Sequence, residues 1–254
     1  MTVELANCLS LQYEKHGSIT DLEEAITLCR AALKLNLPGH PGRAATLINL
    51  GHYLRNRFWK DNVKADLDEA ISLHRSALDL HPEGHPYRWH SLYDLALFLG
   101  ARYDKLNFIA DLEEAITLGR AALEHQSLDY SRRAMCPCIL ANRLRTRFQK
   151  SGDNTDLDEA ILLHRSTLEL NSEGHPHRSE SLHSLALCLS NRYDQEGSIA
   201  DLDEAITLGQ AALKLSPPDH PGRAVTLYNL AHDQRRRFLK VDGIGGRRST
   251  RIEP

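Results

Sequence analysis

The sequence predicts an all-α protein, an α-solenoid in which antiparallel helix pairs stack one after another. Three observations indicate this fold class. The chain repeats itself every 45 residues. Apolar residues within each repeat recur at three- and four-residue spacing, which is the period of one helix face. Finally, the chain contains 42 leucines and only four valines, so its apolar residues are mostly helix formers rather than strand formers.

Three motifs keep the 45-residue period. The acidic motif, Asp-Leu-(Asp/Glu)-Glu-Ala-Ile, begins at Asp21, Asp66, Asp111, Asp156 and Asp201. A His-Pro-x-Arg motif begins at His40, His85, His175 and His220, and an Arg-aromatic pair begins at Arg57, Arg102, Arg147, Arg192 and Arg237. Alternate repeats resemble each other most, so the chain is a duplication of 90-residue pairs. Because two amphipathic helices cannot bury their apolar faces on each other alone, the repeats are expected to stack.

The acidic motif begins one helix of each repeat, which we name helix B. Asp66 is expected to accept hydrogen bonds from the N–H groups of the first turn, and Glu69 to reach back, as in a capping box. Pro38 and Gly39 end the first of these helices. Its apolar face is formed by Leu22, Ala25, Ile26, Cys29, Ala32 and Leu33.

The His-Pro motif begins the other helix, helix A, because proline is well accommodated in a first helical turn. Its apolar face in one copy consists of Leu92, Leu95, Ala96 and Leu99. Pro137 takes the place of Leu92 in the third helix A, where a straight helix would lose about 3 kcal/mol. We therefore expect that helix either to begin late, with Pro137 in its first turn, or to kink.

Helices paired in this way resemble the tetratricopeptide repeat (TPR) family. The family's first-helix spacing is matched by Leu92, Leu95, Ala96 and Leu99, its second-helix alanines by Ala70 and Ala77, and its closing proline by Pro82. The resemblance implies a right-handed superhelix of antiparallel helix pairs. The unit here is longer than the family's usual length of about 34 residues. In this it is similar to kinesin light chain and to fungal TPR arrays associated with CHAT-type protease or nucleotide-binding signalling domains.

The resemblance covers residues 1–238, which we expect to form one repeat domain. Residues 239–254 match nothing in the repeat and are predicted to be a disordered tail. The chain begins inside a helix A and ends after a helix A, which leaves two interpretations: a natural capping helix, or a fragment of a longer array. The second is favoured. An uncovered terminal helix also favours end-to-end self-association.

The sequence predicts neither catalysis nor a bound metal or cofactor. The Cys136-Pro137-Cys138 segment lacks the further ligands that zinc needs, and no phosphate-binding glycine motif is present. The histidines of the His-Pro motif are expected to have turn or capping roles. His74 and His164 lie on the apolar face of helix B and are interpreted as hydrogen-bonded core residues.

Composition also limits the classes of partner and the cellular location that we expect. A net charge of −3 and an aromatic content of 6% disfavour nucleic acid, since RNA-binding repeats use basic surfaces and stacking. No apolar run is long enough to cross a membrane, and no secretory signal is recognised. Five cysteines without framework spacing are typical of reduced thiols. We therefore expect a cytoplasmic protein.

The repeated arginines of the Arg-aromatic pairs are interpreted as structural, paired with carboxylates of an adjacent turn or helix. The candidate binding residues come instead from the resemblance, which implies that the concave side is lined by helix A. Alternate repeats there place a polar donor and an arginine one turn apart, with leucines between them. This pattern suits an extended acidic peptide. The candidates are His52, Arg55, Tyr93, Leu97, Asn142, Arg145, His183, Leu187, Tyr228, His232 and Arg235.

The pattern is similar to the carboxylate clamp of chaperone-binding TPR domains, although the full clamp is not reproduced. We predict a non-catalytic protein–protein interaction scaffold that binds a peptide or a partner helix in its concave groove. The alternative is a regulatory or sensor array belonging to a larger CHAT-protease-like or signalling protein. RNA binding is a third and disfavoured hypothesis.

Overall fold

A computed structural model of the protein describes residues 2–124, 135–175 and 177–245. These residues form eleven α-helices and no strand, so the predicted all-α fold is confirmed. The helices are α1 (Thr2–His16), α2 (Ile19–Leu35), α3 (Arg43–Asp61), α4 (Lys64–Asp79), α5 (Arg88–Leu106), α6 (Ile109–Glu124), α7 (Met135–Ser151), α8 (Asn154–Leu170), α9 (Arg178–Glu196), α10 (Ile199–Leu215) and α11 (Arg223–Gly245).

The chain divides into two compact units. The first, Met1–Leu128, contains α1 to α6, and the second, Asp129–Pro254, contains α7 to α11. In both units each helix A packs mainly on the helix B that follows it, and within a unit each such pair contacts the next helix A. This is the sequential packing of a TPR-like α-solenoid, as predicted. That residues 1–238 form one domain stays a prediction.

Small side chains lie where the two helices of a repeat cross. Ala70 of α4 and Ala96 of α5, one from each of two neighbouring helix pairs, are fully buried, and so are Leu54 and Leu99. Small residues let the helix axes approach, so that the leucines of both helices interdigitate in one core. Phe98 of α5 is also completely buried.

The acidic motif does not cap helix B. Helix α4 begins at Lys64, and its N-cap residue Val63 makes no side-chain cap hydrogen bond. Asp66 lies in the first turn and accepts two hydrogen bonds from Arg57, from Nε and from Nη2, each 2.7 Å long. The capping-box prediction is therefore wrong, because the carboxylate is occupied by an arginine.

The same bidentate pair recurs in both units. Arg102 binds Asp111 in the first unit. In the second, Arg147 binds Asp156 and Arg192 binds Asp201. The interpretation of these arginines as partners of adjacent carboxylates is confirmed. Each pair fastens the end of helix A to the start of the helix B that follows it.

The His-Pro motif forms the turn between helix B and the next helix A. Each histidine accepts a hydrogen bond at Nδ1 from the N–H group two residues later, which confirms its turn role; the four are His40, His85, His175 and His220. Helix A begins at the motif's arginine rather than at its proline. Arg88 donates to the His81 carbonyl at 2.7 Å, and Arg223 donates to the Leu213 and Ser216 carbonyls. These arginines satisfy carbonyl groups that the end of helix B leaves without helical partners.

Two expectations concern the ends of helices. Pro137 lies two residues after the first described residue of α7 and is buried. The preceding segment, in which the late start was predicted, lies outside the described residues. Helix α11 continues past residue 238 to Gly245, so the first part of the predicted tail is helical. Leu239 and Lys240 are good helix formers, and no proline interrupts them. Residues 246–254 lie outside the described part of the chain.

Candidate functional site

In the first unit, two candidate residues of helix α3 pack against helix α5. His52 is partly exposed, and its Nε2 lies 3.4 Å from Oδ2 of Asp94. The Arg55 guanidinium carbon lies 5.2 Å from the centre of the Phe98 ring. The structure therefore places the predicted pair of donor and arginine at the α3–α5 contact.

Arg55 is the less satisfied of the two. Its Nε is buried and has no hydrogen-bond partner among the described residues. Burial lowers the pKa of Arg55, while the negative charge of Asp94 acts in the opposite direction. The residue is thus a half-buried cation with unused donors. Tyr93 and Leu97 of α5 are half-buried as well.

In the second unit, Arg145 of α7 repeats this situation. Its Nε is also buried without a partner in the described part of the chain. Burial lowers the pKa of both His164 and His183, and the positive charge of Arg145 lowers it further. Asn142, the predicted donor one turn earlier, lies with Nδ2 3.8 Å from the Cys138 sulfur.

Helices α9 and α11 bring together the remaining candidates. A 3.0 Å hydrogen bond joins His183 Nδ1 to Thr226 Oγ1, and Leu187 lies near them, half-buried. Tyr228 is 72% exposed and stacks on His232, with ring centres 6.5 Å apart. Arg235 is exposed on the same helix. The α11 candidates therefore present aromatic and cationic groups directly to solvent.

A small recess opens between α9, α10 and α11. His183, Leu187, Thr226, Asn229, Leu230 and Asp233 are among its lining residues. Its empty space of about 230 Å³, part of it open to solvent, is below the volume usual for small-molecule sites. The recess favours a side chain of a larger ligand over a whole small molecule.

Cys29 and Cys188 are buried and Cys138 is partly buried, and their thiols are harder to ionise than exposed ones. Burial raises the pKa of Cys29 and Cys138 to about 11 and that of Cys188 to about 12. All five cysteines are free thiols. Because the thiolate is the nucleophile, protonated thiols of this kind are inert at neutral pH.

The two histidines assigned to the core are buried as expected, but they are not hydrogen-bonded. His74 and His164 are completely buried, and neither ring nitrogen of either has a partner among the described residues. Burial lowers the pKa of His74 to about 3 and that of His164 to about 4. Both rings are therefore neutral at physiological pH.

Sequence reasoning missed the cluster to which His74 belongs. His52, His74 and Asp94, from α3, α4 and α5, offer ligand atoms that all lie within 4.8 Å of one another. His90 Nδ1 lies 3.3 Å from the same Asp94 oxygen. The signal available in the sequence was a charged residue, Asp94, inside the apolar face of helix A and four residues after a histidine.

The geometry can be compared with known proteins. The model of the tetratricopeptide repeat family matches residues 3–42 and 179–222. The resemblance predicted from the sequence is therefore confirmed over these two segments, and the described helices pack as in a TPR-like α-solenoid. No curated protein matches the sequence. In the described residues, no helix is both long and apolar enough to span a membrane.

Solved structures share the fold. A kinesin light chain-like protein of Podosopora anserina, with nearly identical TPR-like repeats, is 20% identical at a TM-score of 0.58, over 85% of this chain and 95% of that one. YrrB, a TPR protein with an unusual peptide-binding site, is 20% identical at a TM-score of 0.52, over 92% and 90%. Acl4, the assembly chaperone of RpL4, is 17% identical at a TM-score of 0.57, over 96% and 91%. At these identities the similarity concerns the fold.

Proposed function

We propose that the protein is a non-catalytic, cytoplasmic interaction scaffold that binds extended acidic segments of partner proteins along the faces of its A helices. The observation that carries this proposal is the contrast between two sets of arginines. Arginines of the Arg-aromatic pairs are satisfied by carboxylates, whereas Arg55 and Arg145 keep a buried Nε without an acceptor among the described residues.

A buried donor without an acceptor is costly, at about 1–3 kcal/mol. A carboxylate of a bound peptide would supply the acceptor and a charge-assisted bond, for which the planar guanidinium is well shaped. Arg235 occupies the equivalent position on α11 and is exposed. The arginines therefore provide anchoring charges on each unit by itself, Arg55 on the first and Arg145 and Arg235 on the second.

Apolar and aromatic residues accompany the arginines. Leu97 and Leu187 are half-buried, and Tyr228 is largely exposed. An extended peptide places alternate side chains on opposite sides, so acidic residues can reach the arginines while apolar residues contact these surfaces. YrrB provides a precedent for a peptide-binding site on this fold.

Titration with fluorescently labelled peptides in which Asp or Glu alternates with Leu tests the proposal. The test variant is the triple substitution Arg55→Gln, Arg145→Gln and Arg235→Gln. Each lost charge-assisted hydrogen bond is worth about 1.5–3 kcal/mol, so we expect at least about tenfold weaker binding.

The chain offers a matched control with the same change in net charge. Arg30, Arg75 and Arg165 are exposed residues of B helices, where they pair with Glu69, Glu114 and Glu204. The triple Arg→Gln substitution at these positions should leave peptide affinity nearly unchanged. Equal losses in the two triple variants would show that only net charge matters and would refute the proposed site.

A further inference from the structure

We propose that His52, His74 and Asp94 form a binding site for a divalent transition-metal ion of the zinc class. The three residues come from three consecutive helices of the first unit, α3, α4 and α5. The ligand atoms that they offer lie within 4.8 Å of one another. Nitrogen and carboxylate oxygen ligands of this kind suit zinc, with a fourth position left for water.

The distances approach those of a coordinated ion. Zinc bonds of about 2.0–2.1 Å in tetrahedral geometry place neighbouring ligand atoms about 3.4 Å apart. His52 Nε2 already lies 3.4 Å from Asp94 Oδ2. His74 Nδ1 lies 4.0 Å from the same oxygen, so the His74 ring has to move closer for all three ligand atoms to reach one ion.

Burial and missing partners support a ligand at this place. His74 is completely buried and Asp94 is 2% exposed, yet His74 Nδ1 and Asp94 Oδ2 have no hydrogen-bond partner among the described residues. Buried polar atoms nearly always have a hydrogen-bond partner, so two neighbouring buried atoms without one need an explanation. A metal ion satisfies both atoms together.

Helix α3 packs closely on the His74 ring at Gly51. A Cβ atom at Gly51 would lie 2.6 Å from His74 Nε2, which shows how closely α3 packs on that nitrogen. The corresponding position is alanine in the other repeats: Ala6, Ala96, Ala141, Ala186 and Ala231. Because Nε2 is packed against α3, Nδ1 is the nitrogen that His74 turns toward Asp94.

The histidines are suited to binding and the site has an opening. The neutral imidazole is the form of histidine that coordinates a metal. His52 and His90 are 29% and 35% exposed at their side chains and form the solvent side of the cluster. Arg55 faces the cluster with a positive charge, which the carboxylate of Asp94 offsets.

The second unit contains a natural control. His164 is equally buried and equally without partners, but it lies in the repeat whose residues at the places of His52 and Asp94 are Asn142 and Ser184. A histidine without a carboxylate beside it does not form a metal site. The chain therefore carries one buried histidine inside the proposed site and a matched one outside it.

Zinc titration of the full chain against a chromophoric chelator, with Co²⁺ absorption as a spectroscopic readout, tests the proposal. We expect one equivalent of Zn²⁺ to bind, and the Co²⁺ spectrum to show nitrogen and oxygen ligands without a thiolate charge-transfer band. Asp94→Asn and His52→Gln should each weaken binding by more than about 100-fold, the upper limit for losing only an outer-sphere partner. His164→Gln should leave the affinity unchanged.

His74→Gln is a third test variant, and it is interpreted only if circular dichroism shows the helical content of the native protein. The other two variants keep the proposal testable if it unfolds. Absence of stoichiometric Zn²⁺ binding would overturn the site and leave the cluster as a buried carboxylate paired with His52 and His90. Binding that survives Asp94→Asn and His52→Gln, or a thiolate band in the Co²⁺ spectrum, would also overturn it.

Discussion

Replacing Arg57 by methionine tests how strongly the bidentate pair fastens one helix to the next. The Asp66 side chain is 4% exposed, and its two oxygens each accept a 2.7 Å hydrogen bond from Arg57. Removing one partner of a fully buried pair costs about 3–5 kcal/mol, because the other charge is left without compensation. Arg57 is 22% exposed, so water reaches the carboxylate once the guanidinium is gone. We therefore expect a loss of about 2–3 kcal/mol in unfolding free energy.

Urea unfolding followed by far-UV circular dichroism measures this loss. The double variant Arg57→Met/Asp66→Leu removes both charges and should recover most of it. What it does not recover is the roughly 0.3–1 kcal/mol that a first-turn carboxylate contributes through the helix dipole. Arg30→Met is the matched control, since Arg30 and Glu69 are 46% and 40% exposed at their side chains and such pairs contribute about 0–1 kcal/mol. If Arg57→Met costs no more than Arg30→Met, or if the double variant is as unstable as the single one, the pair does not fasten the helices.

Two further predictions concern the core, and both can be measured by thermal and urea unfolding. Gly51→Ala should destabilise the protein by about 1–3 kcal/mol, because its Cβ would lie 2.6 Å from His74 Nε2. Gly209→Ala should stabilise it by up to about 1 kcal/mol, because there the Cβ meets only Leu230 at 3.5 Å; the reverse order would contradict the packing. His164 has a folded-state pKa of about 4, depressed by burial and then by Arg145, against about 6.5 when unfolded. As the pH falls from 6.5 to 4, this histidine becomes protonated in the unfolded chain but stays neutral in the folded chain. The unfolding free energy therefore decreases by about 3 kcal/mol. His164→Leu should make the decline in stability over this range shallower, and an unchanged slope would show that His164 does not titrate as described.

The fold was predictable because its signals are repeated. Five copies of the acidic motif and four of the His-Pro motif gave the helix pairs, and the pairing of arginines with adjacent carboxylates followed from their common spacing. The capping box was predicted wrongly, because an aspartate at a helix start has the same local pattern whether it caps the helix or binds an arginine nine residues before it. Only the packing of two helices decides between these roles.

The candidate site was less accessible to sequence reasoning. Arg55 and Arg145 were selected by their helix face, but nothing in the sequence shows that their buried Nε atoms have no acceptor among the described residues, while Arg57 and Arg147 bind carboxylates. The cluster of His52, His74 and Asp94 joins residues from three helices, separated by 22 and 20 positions. Among the described residues it occurs once, so the repetition that revealed the fold gave no indication of it. The regulatory array of a larger protein also stays a prediction.

The arginine–aspartate pair joins residues nine positions apart, within one 45-residue period. Duplicating that stretch of a gene therefore copies a hairpin together with the ion pair that closes it. Arg102 and Arg192 add a second contact, to Asp68 and Asp158 of the preceding helix B. Contacts between hairpins, such as Arg30 with Glu69, are exposed and tolerate exchange. Whole hairpins can thus be added to or removed from the array, because each inserted hairpin brings the same arginine–aspartate pair at the same spacing.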